Sequence, residues 1–207
     1  MLPLSHDIET LCICCHAGAI TEVRMILRRG VVDINSVGRC GHTPLICSMF
    51  YNYPAIAQAL LSTPGVRPAI TYGKTGLTAL HFACWNNSLE AIPVYGEHTT
   101  VAMLRIKDNR GDTPAMVAVR RGRLDCVKEL DKLGGIPRED EKTLVELARR
   151  YEHPALLAYL QGRKRNVRTF AEISARTVAR HCRYKSQVQT LEIPQTLVWF
   201  VSRFLDL

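Results

Sequence analysis

The feature that most constrains the fold of this chain is a short motif that returns at nearly constant spacing. A Thr, usually two residues after a Gly and followed by small or apolar residues, occurs four times in the 207-residue sequence. With a weaker first copy, the equivalent residues are Glu9, Thr43, Thr78, Thr113 and Thr143. The steps between them are 34, 35, 35 and 30 residues. Self-similarity at such a period is typical of stacked supersecondary units.

Each copy of the motif predicts two short helices. The Thr hydroxyl can cap a helix by accepting a free backbone N–H, and Pro44 and Pro114 fall at the first helical position, where proline is tolerated. Nine residues after the aligned position, the chain must reverse through a left-handed residue. The residues at this position are Gly18, Asn52, Asn87, Gly122 and Glu152, of which Glu152 fits poorly. Apolar residues at helical spacing then predict second helices over 20–29, 54–62, 124–133 and 154–160.

The third and fifth copies depart from this pattern. Pro93 falls where a second helix should run and Gly96 follows closely, which predicts a short or broken helix. The segment 94–105 is then expected to form a turn or loop of its own. The fifth copy is shorter than the others, which suits a terminal unit.

These motifs resemble the ankyrin repeat, which has a period of about 33 residues and a T-P-L-H-x-A signature. The resemblance implies an all-α fold, a solenoid of about five helix-turn-helix repeats over residues 1–162. The approximate repeat limits are 6–40, 41–75, 76–110, 111–140 and 141–162. A basic linker over 163–169 and a small helical module over 170–207 are predicted to follow.

A solenoid of this type offers a long concave surface for binding. The resemblance places two parts of each repeat on that surface. They are the loop tip just before the first helix, called the fingertip, and the end of the first helix. Large aromatic residues and Arg stand there, and these residue types dominate binding hot spots. The predicted target-binding residues are Phe50, Tyr51, Trp85, Arg120 and Arg121. The alternative for Phe50 and Trp85 is that they only cover a neighbouring helix.

No catalytic, metal or cofactor site is predicted. The sequence has no GxSxG, P-loop or HExxH motif, and His81 is expected to hydrogen-bond between neighbouring turns. The run Cys12, Cys14, Cys15 and His16 lacks a CxxC pair and a second ligand pair, so packed free thiols are the preferred interpretation. We therefore expect a binding protein and not an enzyme.

The sequence predicts no secretory signal and no membrane partner. The first nine residues carry Asp7 and Glu9 without a basic region followed by an apolar one. No apolar run approaches the roughly 20 residues of a membrane helix. The thiols are accordingly expected to stay free in a reducing compartment, either the cytoplasm or also the nucleus.

Positive charge is concentrated near the C-terminus. Residues 163–207 hold nine Lys or Arg against three Asp or Glu, a net +6, whereas the rest holds 18 against 16, a net +2. The basic run 163–168 is compatible with nuclear import or nucleic-acid binding. Because it lacks interleaved aromatic residues, we favour a solvated hinge and expect no nucleic-acid partner.

Two apolar helix candidates follow this basic run, separated by Pro194. The second, over 195–207, is apolar over an arc too wide to face water, so another chain or the end of the array must cover it. The first contains the sequence 177–183, Thr-Val-Ala-Arg-His-Cys-Arg, which resembles the elongin-binding helix of a SOCS box. The residues that carry this resemblance are Thr177, Val178, Cys182 and Arg183.

The residues after this helix resemble the cullin-selecting part of the same box. They are Leu191, Ile193, Pro194, Leu197 and Phe200. The segment departs from the family pattern at Val178, Ser186 and Glu192, where the family usually has Leu, an aliphatic residue and Pro.

Ankyrin repeats followed by a SOCS box are the layout of the ASB family of ubiquitin-ligase substrate receptors. The resemblance implies a non-catalytic substrate-recognition subunit of an elongin BC–cullin–RING ubiquitin ligase. Its expected partners are elongin C with elongin B, a cullin–RING scaffold and an unknown protein substrate. One alternative is an ankyrin interaction or regulatory protein without a ligase role, and another is an F-box-like segment beginning at Ile193.

Overall fold

The computed structural model describes residues 5–163, with side chains from residue 8 onward. The chain divides into two compact units, Met1–Leu157 and Ala158–Leu207. The predicted module over 170–207 lies outside the described residues.

The first unit is built from short helices in consecutive pairs. They are α1 (Ser5–Ala17), α2 (Ile20–Arg29), α3 (Pro44–Phe50), α4 (Pro54–Leu61), α5 (Ala79–Asn86), α6 (Ala91–His98), α7 (Pro114–Arg120), α8 (Leu124–Lys132) and α9 (Glu141–Arg150). A tenth helix, α10, begins at Pro154 and continues to residue 163. Short 3-10 turns occupy Gly73–Thr75, Met103–Arg105 and Arg138–Asp140.

The all-α expectation is confirmed for residues 5–163, where the extended structure consists of one isolated bridge between Tyr72 and Leu77. Within this range no helix combines the length and apolar character needed to cross a bilayer.

Helices of the same kind stack on one another along the unit. The first helices α1, α3, α5, α7 and α9 pack in that order, and the second helices α2, α4, α6 and α8 form a parallel row. Each first helix also packs on its own second helix up to α8. In α3, for example, Leu45, Ile46 and Met49 are all buried. The apolar core therefore runs between neighbouring pairs, as a repeat array requires.

The predicted Thr caps are confirmed in the three central repeats. The hydroxyl of Thr43 accepts a hydrogen bond from the Ile46 N–H at 3.3 Å, and Thr113 does the same for Met116 at 3.4 Å. Thr78 forms a reciprocal capping box with His81.

The aligned residues of the outer repeats do not cap helices. The first helix begins at Ser5, so Glu9 lies inside it. In the fifth repeat, the 3-10 turn Arg138–Asp140 leads directly into α9, which begins at Glu141 and contains Thr143 in its first turn. The Thr cap was therefore the wrong assignment for the fifth repeat.

All five predicted reversals use a left-handed backbone. The φ angles are +77° at Gly18, +58° at Asn52, +64° at Asn87, +71° at Gly122 and +55° at Glu152. Glu152 adopts this conformation although it is the residue that fits poorly, at a cost of about 1–2 kcal/mol. The His153 N–H closes the turn on the Ala148 carbonyl at 2.9 Å, and the same contact recurs at the other reversals.

The second helix of the third repeat, expected to be short or broken, is short, at eight residues, but is not broken. Pro93 is the third residue of α6, where a backbone N–H would have no partner inside the helix. The side chain of Asn52 caps this helix from the preceding repeat, since its Oδ1 accepts the N–H groups of Glu90 at 3.0 Å and Ala91 at 3.1 Å. Only the end of the segment 94–105 forms a separate turn, at Met103–Arg105.

Candidate functional site

A pocket of about 540 Å³ lies beside the fingertips and first helices of the third to fifth repeats. Its walls combine exposed aromatic rings, basic side chains and two Asp residues. The lining residues are Lys74, Thr75, Leu77, Trp85, Asp108, Asn109, Arg110, Asp112, Val117, Arg120, Arg121 and Tyr151.

Two neighbouring repeats supply an aromatic–cation pair in this pocket. The guanidinium carbon of Arg121 lies 3.3 Å from the ring centroid of Trp85. Trp85 projects from the end of α5 with 43% of its surface exposed, and Arg121 follows α7. A cation over an exposed indole face gains about 0.5–1 kcal/mol, so the pair favours this position of the guanidinium.

Arg120 is bound to its own chain. Its Nη2 donates to Oδ1 of Asp112 at 2.9 Å, and Asp112 is buried. Burial raises the pKa of the Asp112 carboxyl above its usual value, while the Arg120 guanidinium acts in the opposite direction. Arg120 thus shares its charge with an internal partner, whereas the guanidinium of Arg121 rests on an exposed ring.

The fingertips that form the rim are fixed to one another by hydrogen bonds. The Asn109 side chain donates to the Lys74 carbonyl at 2.8 Å, and its backbone N–H donates to the Thr75 carbonyl at 3.0 Å. Asp108 Oδ1 accepts the backbone N–H groups of Arg110 and Asp112, each at 2.8 Å. Both acidic groups of the pocket are therefore engaged within the protein.

The pocket consequently has a positive character. Four of its lining residues are Lys or Arg, and two are Asp. Lys74 and Arg110 are both exposed on adjacent fingertips. An anionic group entering the pocket would meet several cations whose backbones are already ordered.

The structure places Phe50 and Tyr51 outside this pocket, in an aromatic cluster. The Phe50 ring lies 6.1 Å from Phe82 and 5.0 Å from Tyr51, and Tyr51 lies 4.2 Å from the ring of His16. Phe50 is half-buried against the following first helix, which is the packing role given as its alternative. Tyr51 keeps 38% of its surface exposed.

Of the five predicted target-binding residues, Trp85, Arg120 and Arg121 meet in the pocket. The set omitted Tyr151, which is 41% exposed and also lines it. Tyr151 stands at the same repeat position as Tyr51 and Arg121, so the repeat alignment itself contained the signal for it.

The prediction that His81 hydrogen-bonds between neighbouring turns is confirmed. The side chain is fully buried, with Nδ1 2.8 Å from the Thr78 hydroxyl and Nε2 3.1 Å from the Asp112 carbonyl of the next repeat. Burial lowers the pKa of its imidazole, because the charged form is penalised away from water. The ring therefore serves as a neutral link directly behind the pocket.

The residues predicted to bind elongin C or to select a cullin lie outside the described residues: Thr177, Val178, Cys182, Arg183, Leu191, Ile193, Pro194, Leu197 and Phe200. Among the described residues, one group has metal-ligand atoms within 4.8 Å of one another, namely Cys40, His42 and Cys47. This group is distinct from the run 12–16, in which the sequence places three Cys and one His close together.

Comparison with curated proteins finds no match to this chain. A family model for ankyrin repeats, built of three copies, matches residues 11–95 and 68–136. These matches span more than half of the chain and include the helices that carry Trp85 and Arg120. The chain therefore belongs to the ankyrin-repeat family, whose members are typically non-catalytic protein-interaction modules.

Proposed function

We propose that this protein is a substrate-recognition subunit of an elongin BC–cullin–RING ubiquitin ligase. In this role the ankyrin repeats bind a target protein through the pocket around Trp85. The segment 170–207 binds elongin C and a cullin, and the other ligase subunits catalyse ubiquitin transfer. A receptor of this kind would act in the cytoplasm or also in the nucleus.

The observation that supports target binding is the exposed Trp85–Arg121 pair. Trp and Arg are enriched among binding hot spots, and here each partly orders the other before a target arrives. Such preorganisation reduces the entropy lost on association.

The charge and size of the pocket favour an acidic, extended segment as the bound part of the target. Carboxylates can pair with Arg121, Lys74 and Arg110, which extend from two fingertips and the end of α7. A volume of about 540 Å³ accommodates a few side chains. We therefore infer that the target inserts a short acidic stretch with at least one large side chain.

The ligase role is supported by the sequence of the C-terminal segment. Val178 precedes Cys182 by four residues, a spacing that places both side chains on one face of a helix. Burying an aliphatic side chain such as Val178 contributes about 1.5–3 kcal/mol, and Cys182 adds a second, smaller apolar contact with a partner chain. The alternative, an ankyrin interaction protein without a ligase role, rests on the repeats alone.

The ligase role is tested by mixing the full-length protein with purified elongin B–C and following the complex by size-exclusion chromatography. The wild type should co-elute with both elongins. Val178→Asp combined with Cys182→Asp should abolish co-elution, because it places two carboxylates in the buried contact.

A matched control is Arg176→Asp with Arg180→Asp, which has the same spacing on the opposite helix face and should retain the complex. Absence of a wild-type complex, or its survival in the Val178 and Cys182 variant, would favour the protein without a ligase role.

A further inference from the structure

Three soft or borderline metal ligands converge beside α3. The thiols of Cys40 and Cys47 and a ring nitrogen of His42 all lie within 4.8 Å of one another. Cys40 and His42 belong to the fingertip before α3, and Cys47 lies inside that helix. Gly41, with φ +76°, separates the two fingertip ligands and lets the chain turn between them.

A fourth ligand comes from the neighbouring repeat. The thiol of Cys12 in α1 belongs to the lining of the same cavity as Cys40. It also lies 3.8 Å from the carbonyl oxygen of His42. Cys12 therefore brings a fourth candidate ligand from α1 close to the group of three.

The backbone around this cluster is packed closely onto the thiols. A Cβ atom added to Gly38 would lie 2.8 Å from Sγ of Cys12, so only glycine permits the fingertip to approach this closely. The His42 ring packs between Tyr72 and Phe82, with centroid distances of 4.7 and 5.1 Å. The fingertip and the imidazole are thus held in position by contacts outside the cluster.

We propose that Cys12, Cys40, His42 and Cys47 bind one zinc ion as a Cys₃His site. Zinc prefers four tetrahedral ligands of this type, with Zn–S near 2.3 Å and Zn–N near 2.0–2.1 Å. Tetrahedral geometry at those lengths places two sulfur atoms about 3.8 Å apart, and a sulfur and a nitrogen about 3.6 Å apart. The observed separations within the group of three, up to 4.8 Å, require the side chains to close by about 1 Å at most.

The surroundings offer the ion a path to the cluster. A cavity of about 360 Å³ is lined by Cys12 and Cys40 together with Glu9, Ile13, His16 and Ala17. Cys40 itself is exposed. The thiols would bind as thiolates and release their protons to solvent. The bound ion would connect α1 to the second repeat.

The test is titration of the reduced full-length protein with cobalt(II), a coloured substitute for zinc. One equivalent should produce the intense visible bands of tetrahedral cobalt and near-ultraviolet thiolate charge transfer, and zinc should abolish both. Zinc should also raise the thermal unfolding midpoint. Cys40→Ser and His42→Gln should each weaken cobalt binding by about 100-fold or more, since they remove a direct ligand.

Cys40 is the informative position because it is exposed, so its variant should keep the wild-type circular dichroism spectrum. Cys14→Ser, on the same helix as Cys12, is the matched control and should bind cobalt as the wild type does. The proposal is overturned if the reduced wild type shows no tetrahedral cobalt spectrum. It is equally overturned if both ligand variants keep wild-type affinity, or if the control variant loses it.

Discussion

His81 shows how one buried side chain couples two repeats. Through Nδ1 it completes the capping box of its own helix, and through Nε2 it contacts the Asp112 carbonyl of the next fingertip. Asp112 in turn holds Arg120 at the pocket. The imidazole therefore connects helix start, fingertip and pocket wall, and it must be neutral to satisfy its buried contacts.

Replacement of His81 by Gln should keep the contact with Thr78 and remove the contact with Asp112. Gln at this position can still complete the capping box with Thr78, but it is shorter and should lose the Asp112 contact. We expect the free energy of unfolding to fall by about 1–3 kcal/mol, the cost of a buried carbonyl without a partner. Urea denaturation measures this difference in the free energy of unfolding, at pH 7.5 or above, where an ordinary imidazole is neutral. An unchanged unfolding midpoint would contradict the role of His81.

The same variant should alter the pH dependence of stability. Because burial lowers the pKa of His81 in the folded protein, the unfolded state binds more protons below the ordinary value of about 6.5. Wild-type stability should therefore decrease as the pH falls below about 6.5, by up to about 1.4 kcal/mol per pH unit from this group. The difference between wild type and His81→Gln should narrow over that range in urea titrations, and a constant difference would refute the assignment.

At the scale of helices and turns, the sequence predicts elements well where local chemistry decides them. The starts of α3, α5 and α7 and the glycine and asparagine reversals follow from capping and backbone preference. The errors arise where the start of a helix is not fixed by the aligned Thr. Pro93 is tolerated because it is the third residue of α6, where no intrahelical hydrogen bond is lost, and Asn52 caps this helix from the preceding repeat, 38 residues away in sequence.

Glu152 allows the effect of local backbone preference to be tested at a single turn. Its backbone is left-handed and its side chain is exposed, so Glu152→Gly should relieve strain and stabilise the protein by about 1 kcal/mol. The matched control is Glu146→Gly, an exposed site within α9, which should destabilise it by about 1 kcal/mol. Thermal unfolding measures the stability change of both variants. Shifts of the unfolding midpoint in the same direction would contradict the claim that the left-handed backbone at Glu152 is strained.

At the scale of the whole molecule, the repeat array and the C-terminal segment are expected to bind different partners. The repeat pattern and residue types predicted Trp85, Arg120 and Arg121 as surface residues near the ends of first helices. They could not reveal that Phe50 packs on Phe82 or that Arg120 pairs with Asp112, because these contacts depend on side-chain directions in three dimensions. The group Cys40, His42 and Cys47 was missed for the same reason, since its ligand atoms approach one another only when the fingertip folds against α3.

Two separable binding surfaces are tested most directly by quantitative proteomics of proteins that co-purify with full-length variants from cells. Trp85→Ala combined with Arg121→Glu should retain elongins B and C but lose a distinct set of bound proteins by about tenfold or more. Val178→Asp combined with Cys182→Asp should do the reverse. If elongins are absent from the wild-type complex, or if both variants lose the same proteins, the two-surface receptor is contradicted.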